Sequence, residues 1–216
     1  MNYYHLGKLP ASTIDHFRLM IQKLIGPHGP NFQSLQFTQQ IKNEFKKIFD
    51  HHSLMLEIKP NQKAFYTRPN YTAKIHKDGF DTNAALNIAI TCNPTDWVRW
   101  HSEEQIADLG IEPEFGNQGH LAFRRVPLLP LDNVPYIESQ TVEPGDVYLV
   151  NTNVWHSFKC SGANDRIIIQ TKFASNPTIE TLKDMLEHKN FKNLVRPEGF
   201  EPPTYDFEDR NSIQLS

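Results

Sequence analysis

Between residues 54 and 173 the chain reads as a succession of short extended runs, each closed off by turn-forming residues. Runs rich in β-branched and aromatic residues fall at 54–59, 71–76, 84–91, 120–126, 136–142, 146–151, 154–159 and 166–173. Lys77-Asp78-Gly79, Pro144-Gly145-Asp146 and Ser161-Gly162-Ala163-Asn164-Asp165 separate them. Strands this short cannot bury their faces alone and must be stacked as two sheets or closed on themselves. The expectation is a mainly β protein with flanking helices, a double-stranded β-helix of the jelly-roll, cupin-like kind.

Two helices precede that region. Ile14, Phe17, Ile21, Leu24 and Ile25 form one stripe over 12–25, with Ser12 and Asp15 as a capping box and Gly26-Pro27 as the stop. Phe37, Ile41, Phe45 and Ile48 repeat the spacing over 34–49. A third helix is expected over 177–189, with Asn176 as its N-cap, Pro177 in its first turn, and Ile179, Leu182, Met185 and Leu186 inside. Prolines and acidic residues make 196–216 an irregular tail. A single domain results: a helical layer (1–53), a jelly-roll core (54–173) with a long connection at 92–135, and a C-terminal helix and tail (174–216).

A formal charge of −3 and the lack of a long basic run argue against nucleic acid as partner. No stretch approaches 18 apolar residues, so no membrane span is expected, and the N-terminus lacks the pattern of a signal peptide. Cys92 and Cys160 alone make no disulfide framework and suit a reducing cytoplasm. Oligomeric state is not legible.

The chemistry lies in Lys74-Ile75-His76-Lys77-Asp78-Gly79 and Asn153-Val154-Trp155-His156-Ser157-Phe158. Side chains two apart on a strand share a face, so His76 and Asp78 can converge on one ion. His156 shares a face with Val154 and Phe158 and is expected to point inward. Two imidazoles and one carboxylate make the facial set of non-haem Fe(II) oxygenases, which leaves coordination positions open. Arg166 follows ten residues after His156, across a turn, and begins the apolar strand Ile167-Ile168-Ile169.

This His-x-Asp…His…Arg pattern resembles the 2-oxoglutarate/Fe(II)-dependent dioxygenase superfamily over roughly residues 54–173. The resemblance implies Fe(II) on His76, Asp78 and His156, which carry the catalysis, and the far carboxylate of 2-oxoglutarate on Arg166. It implies dioxygen as co-reactant and oxidation, usually hydroxylation, of a further substrate: a small molecule, or a side chain on a peptide. Asn87, polar within an apolar strand, is a candidate for the ketoacid end of 2-oxoglutarate or a core amide satisfied by backbone. The plain alternative for Arg166 is an ion pair with Asp165 or Asp146. Many relatives carry a hydroxyl two residues after the arginine, where this chain has Ile168, leaving Tyr66, Tyr71 or Thr171 as substitutes and Lys74 as a rival anion partner. The connection 92–135 is expected to recognise substrate through Trp97 and Arg99, favouring a negative or planar group; His101 and His120 are reserve ligands. Two other readings stay open: a cupin-like metalloenzyme that does not use 2-oxoglutarate, and a non-catalytic jelly-roll binding module.

Overall fold

The computed structural model describes residues 1–26, 30–51, 57–59, 62–78, 83–110, 114–115, 121–122 and 131–188. In chain order the elements are β1 (Tyr3–Lys8), α1 (Ala11–Gln22), β2 (Phe32–Gln36), α2 (Gln39–His51), β3 (Lys63–Thr67), β4 (Tyr71–Thr72), β5 (Ala84–Thr91), β6 (Trp97–His101), α3 (Glu103–Ala107), β7 (Glu114–Phe115), β8 (Leu121–Ala122), β9 (Glu138–Gln140), β10 (Asp146–Asn151), β11 (Trp155–Cys160), β12 (Arg166–Lys172) and α4 (Ile179–His188). Among the described residues a six-stranded sheet, β1-β10-β5-β12-β3-β2, faces a four-stranded sheet, β4-β11-β6-β9, and all named pairings are antiparallel. None of the described helices is long and apolar enough to cross a membrane.

Alternation along the large sheet sorts its side chains between two cores. Leu86, Ile88 and Ile90 of β5, Val147 and Leu149 of β10, and Ile167 and Ile169 of β12 face outward against Ile14, Phe17 and Ile21 of α1, Phe45 of α2 and Leu182 and Leu186 of α4. Ala85 and Ala89, Tyr148 and Val150, and Ile168 face inward against Val98, Trp100 and Phe158 of the small sheet. The bulky aliphatics thus hold the helices, while β5 presents only Ala85, Asn87 and Ala89 to the interior. A third cluster, with Ile75, Trp97, Ile106, Leu131, Val134 and Trp155, covers the outer face of the small sheet.

The N-terminal segment is more than a helical layer, because β1 and β2 form the two edges of the large sheet. The second helix starts at Gln39 rather than 34, since Phe32–Gln36 is extended and pairs with β3. β6 is a strand of the small sheet, so the connection drawn over 92–135 begins inside the core. The run at 54–59 survives as a single bridge, Ile58 to Phe173, with 52–56 outside the described residues. Of the run at 120–126, Leu121–Ala122 is extended and the rest is outside the described residues, as is the tail 196–216. Neither expected cap forms. Pro10 occupies the N-cap of α1 without a side-chain bond, and Asp15 pairs with Arg18 at 2.8 Å. Before α4 Thr178 caps, its Oγ1 accepting from Thr181 N at 3.2 Å, while Asn176 accepts from Asn83 N at 2.7 Å.

One clip sets the turn before Arg166. The buried Asp96 carboxylate accepts from Asn93 N and Ser161 N, both at 2.9 Å, and Asn93 exchanges bonds with the Asn164 backbone at 2.8 and 3.0 Å. Gly162 permits this approach: a Cβ there would lie 2.1 Å from Asn93 Cγ. The turn is thereby held by buried, satisfied polar groups, and the strand that carries Arg166 leaves it in a fixed direction.

Candidate active site

β4 continues as an extended segment along β11, and at its end His76 and His156 exchange both backbone hydrogen bonds at 2.9 Å. Two residues on, Asp78 N donates to Thr152 O at 2.9 Å. These three bonds bring both imidazoles and the carboxylate to one place at the inner edge of the small sheet. The ring centroids lie 4.2 Å apart, and one ligand atom from each of His76, Asp78 and His156 falls within 4.8 Å of the others.

The tautomers follow from partners. Carbonyls only accept, so His76 Nδ1 donates to Lys74 O at 2.7 Å and His156 Nδ1 donates to Val154 O at 2.9 Å. Each Nε2 is left as a lone-pair donor toward the centre, as in metal-binding histidines whose other ring nitrogen is held by a carbonyl. Burial, then the neighbouring His76, pushes the His156 imidazole down to about 4. Burial alone would raise Asp78, but Lys172, with Nζ 3.2 Å from Oδ2, outweighs it together with His156 and His76 and leaves the carboxyl below its ordinary value. At neutral pH the cluster therefore offers a neutral imidazole at His156 and an anion at Asp78, the forms a metal ion requires.

Arg166 faces the same interior from β12 and is 5% exposed, its guanidinium 4.8 Å above the Phe158 ring. Among the described residues no carboxylate pairs with it. Asp165 accepts from Tyr66 OH at 3.0 Å and Asp146 engages His5 and Lys8, so neither ion-pair alternative forms. Among the described residues, three buried polar atoms that meet no partner in full hydrogen-bond geometry share this inner face: Thr67 Oγ1, directly across the ladder from Arg166, Tyr148 OH, and Asn87 Oδ1, the last two on neighbouring paired residues whose amide and phenol interact. A buried cation left without an anion costs several kcal/mol, and each orphaned polar group about 1–3 kcal/mol. A guanidinium can bind a carboxylate bidentately, and unpaired polar atoms on the same interior surface can add hydrogen bonds to it. Phe158, on which Arg166 lies, is two residues from His156, or about 7 Å along the strand. A short dicarboxylate can span that gap.

The other expectations sort by face. Tyr66 points to the helical side, Thr171 shares that side with Ile167 and Ile169, and Tyr71 stacks on Phe32 at 5.7 Å. Tyr66 and Thr171 are thus turned away from Arg166, while Tyr71 lies with Phe32 beside Phe158 (6.1 Å between ring centroids) on the inner side, where Thr67 and Tyr148 also present hydroxyls. Lys74 is exposed and offers the buried guanidinium no rivalry. Trp97 and Arg99 lie on the opposite face of the small sheet from His156. Their strand alternates, Trp100 and Val98 facing inward, so 97, 99 and 101 must face outward. There Arg99 is held between the rings of Trp97 (4.1 Å) and Tyr136 (4.4 Å), and the expectation that this pair reads substrate at the metal cluster is corrected. His101 is likewise engaged on that face, with Pro135 O at 2.7 Å and Ser157 Oγ at 3.0 Å; His120 is outside the described residues. Both cysteines are free, and burial raises their thiols to about 12 (Cys92) and about 11 (Cys160).

Tyr148, Thr67 and Lys172 join the candidate site only in the folded structure. For two of them a signal exists. Tyr148 shares strand parity with Asp146 and Val150, and Lys172 shares it with Arg166; Thr67 has no such mark.

Comparison by sequence finds no matching family model and no matching curated protein. Comparison by structure finds apo HygX from Streptomyces hygroscopicus, with a TM-score of 0.54 at 10% identity over 80% of this chain and 81% of that one. The epimerase SnoN, solved with Fe3+, alpha ketoglutarate and nogalamycin RO, gives 0.52 at 13% identity over 80% and 78%. HygX with nickel and 2-oxoglutarate bound gives 0.51 at 10% identity over 80% and 82%. The expected jelly-roll fold is borne out, and it is the fold of enzymes solved with these ligands.

Proposed function

We propose that the chain is an Fe(II)- and 2-oxoglutarate-dependent oxygenase, with iron held by His76, Asp78 and His156. Arg166, Thr67 and Tyr148 would take the far carboxylate of 2-oxoglutarate, and Asn87 would lie along its length. The observation that carries this reading is the buried Arg166 guanidinium, unpaired with any described carboxylate and set opposite Thr67 with its orphaned hydroxyl, in the same interior onto which the metal-competent cluster opens.

The donor set fits. Two imidazoles and one carboxylate leave open positions on iron for a chelating ketoacid and dioxygen. Bound there, Fe(II) and 2-oxoglutarate supply oxidative decarboxylation to succinate and carbon dioxide, coupled to oxidation of a substrate C–H bond, most simply its hydroxylation. The chain's own contribution is positional. Lys172 engages one oxygen of Asp78, which leaves the other for the ion. The carbonyls of Lys74 and Val154 fix the imidazole tautomers. Val98, Trp100, Phe158 and Ile168 keep water from the space between the sheets. Tyr148, its phenol raised to about 12 by burial, stays protonated and can donate to a carboxylate.

The likeness to HygX and SnoN adds a fold in which such ligands are bound. A cupin-like enzyme without 2-oxoglutarate, or a binding module, would give Arg166 no reason to be buried alone. The test is succinate formation by the purified chain with Fe(II), ascorbate and 2-oxoglutarate in air. Succinate is expected from the wild type and not from His76→Ala. An equal rate in His76→Ala would refute the proposal.

A further inference from the structure

Beyond the Arg166 end, the inner face of β12 continues through Ile168 and Gln170 to Lys172, the residue that reaches Asp78. Gln170 stands between Asn87 of β5 and Lys63 of β3 in the ladder. Lys63 shares strand parity with Phe65 and Thr67, so it too faces inward. Phe65 stacks on Phe32 at 5.7 Å and Phe32 on Tyr71 at 5.7 Å, which puts the β4 segment that ends in His76 over this side of the large sheet. Past β3, Lys59 N donates to Lys172 O at 2.9 Å, so a further lysine adjoins the same strand.

Charge is unbalanced here. Lys172 is matched by Asp78, but among the described residues the half-buried Lys63 has no acidic partner and the Gln170 amide no side-chain hydrogen bond. Directly paired positions on antiparallel strands have Cβ atoms about 5 Å apart and diagonal ones about 7–8 Å apart. Lys63, Gln170 and Lys172 are therefore within one small ligand's reach of each other. Metal in the cluster would add positive charge, and the two carboxylates of 2-oxoglutarate would be consumed by the ion and by Arg166. That leaves Lys63 for something else.

Resting on the metal-centre reading above, we propose that the substrate is an anion whose compact oxyanion group, carboxylate or phosphate, seats on Lys63 and Gln170 beside the metal cluster. Lysine suits such a group as a mobile point charge with three donors, and the Gln170 amide adds a directional one. Held there, the substrate presents its neighbouring carbon to the space between His76 and Lys172.

The full chain loaded with Mn(II) and 2-oxoglutarate tests this through nuclear relaxation. The 31P signal of inorganic phosphate and the carboxyl 13C signal of acetate are followed as protein is added, and the Mn(II) EPR signal reports metal binding separately. At least one anion should be relaxed saturably, and whichever responds assigns the group. Lys63→Met should weaken it about tenfold, the equivalent of one charge-assisted hydrogen bond, and Lys63→Arg should restore it. Gln170→Leu, a change confined to a neutral side chain, should weaken it by a smaller factor. Absence of saturable relaxation with both anions overturns the proposal. So does an undiminished response in Lys63→Met, which an anion bound to the metal alone would give. Mn(II) that stays free in the wild type brings down the metal-centre reading itself.

Discussion

The two faces of the small sheet are built from the same strands with the same alternation, yet they differ in how their polar groups are settled. On the outer face partners abound. Trp155 Nε1 donates to Glu103 at 2.7 Å, Lys77 pairs with the same carboxylate, Lys159 pairs with Asp132, and both nitrogens of His101 are engaged; Arg99 Nε is the exception. The interior that the inner face shares with the large sheet holds, among the described residues, three orphaned polar atoms, a guanidinium without a carboxylate partner and two histidine nitrogens aimed at a common point. The outer face uses polarity to lock a surface layer. The inner one withholds partners, and a folded protein tolerates that where a ligand supplies them.

Matched substitutions across the sheet should separate these roles. His156→Ala is expected to lower Fe(II) affinity by on the order of 100-fold or more, since it removes a ligand where even outer-shell losses cost 10–100-fold. His101→Ala should keep metal affinity and instead lose about 1–2 kcal/mol of stability from its buried hydrogen bonds. Metal titration and thermal melts of both variants read this; equal metal loss in His101→Ala would erase the distinction.

Arginines give the next contrast. Arg166→Met should raise the 2-oxoglutarate requirement about 100-fold, a loss of about 3 kcal/mol for a bidentate charged contact. The ligand-free protein should be no less stable, because an uncompensated buried charge is removed. Arg99→Met should do the reverse, lowering the melting temperature through lost packing on two rings while 2-oxoglutarate binds as before. Calorimetric titration and melting curves decide. A smaller inner-face effect is expected from Tyr148→Phe: about tenfold weaker 2-oxoglutarate binding with unchanged or increased stability.

The smallest effect concerns acid. Above pH 6.5, His156 is neutral whether the chain is folded or unfolded. Below it the unfolded chain takes up a proton, while the folded imidazole, held down to about 4 by burial and His76, does not. The folded state then binds fewer protons, so stability of the metal-free protein should fall as pH drops from 6.5 toward 4. Melts across that range should show this decline and its loss in His156→Ala.

Much of the candidate site was legible because its signals are local. His76 and Asp78 are two apart, His156 has an apolar neighbour at each even step, and Arg166 opens an apolar strand after a turn. What escaped depends on pairing between distant segments. Trp97 and Arg99 look like a binding motif until β11 fixes the parity of β6 and turns them outward. Thr67 matters only because β3 pairs with β12 in the register that puts it opposite Arg166. β1 and β2 were hidden beside strong helical stripes, and their edge positions in the large sheet supplied the pairing that local pattern could not announce.

The central claim is that the interior is a site for metal and ketoacid together. Anaerobic titration of the metal-free chain with Fe(II) and then 2-oxoglutarate, watched for the visible charge-transfer band of the chelate, tests it most directly. The wild type should develop the band saturably, His76→Ala should not, and Arg166→Met should need about 100-fold more 2-oxoglutarate. Iron binding without a band at high 2-oxoglutarate, or a band indifferent to Arg166, would contradict the account.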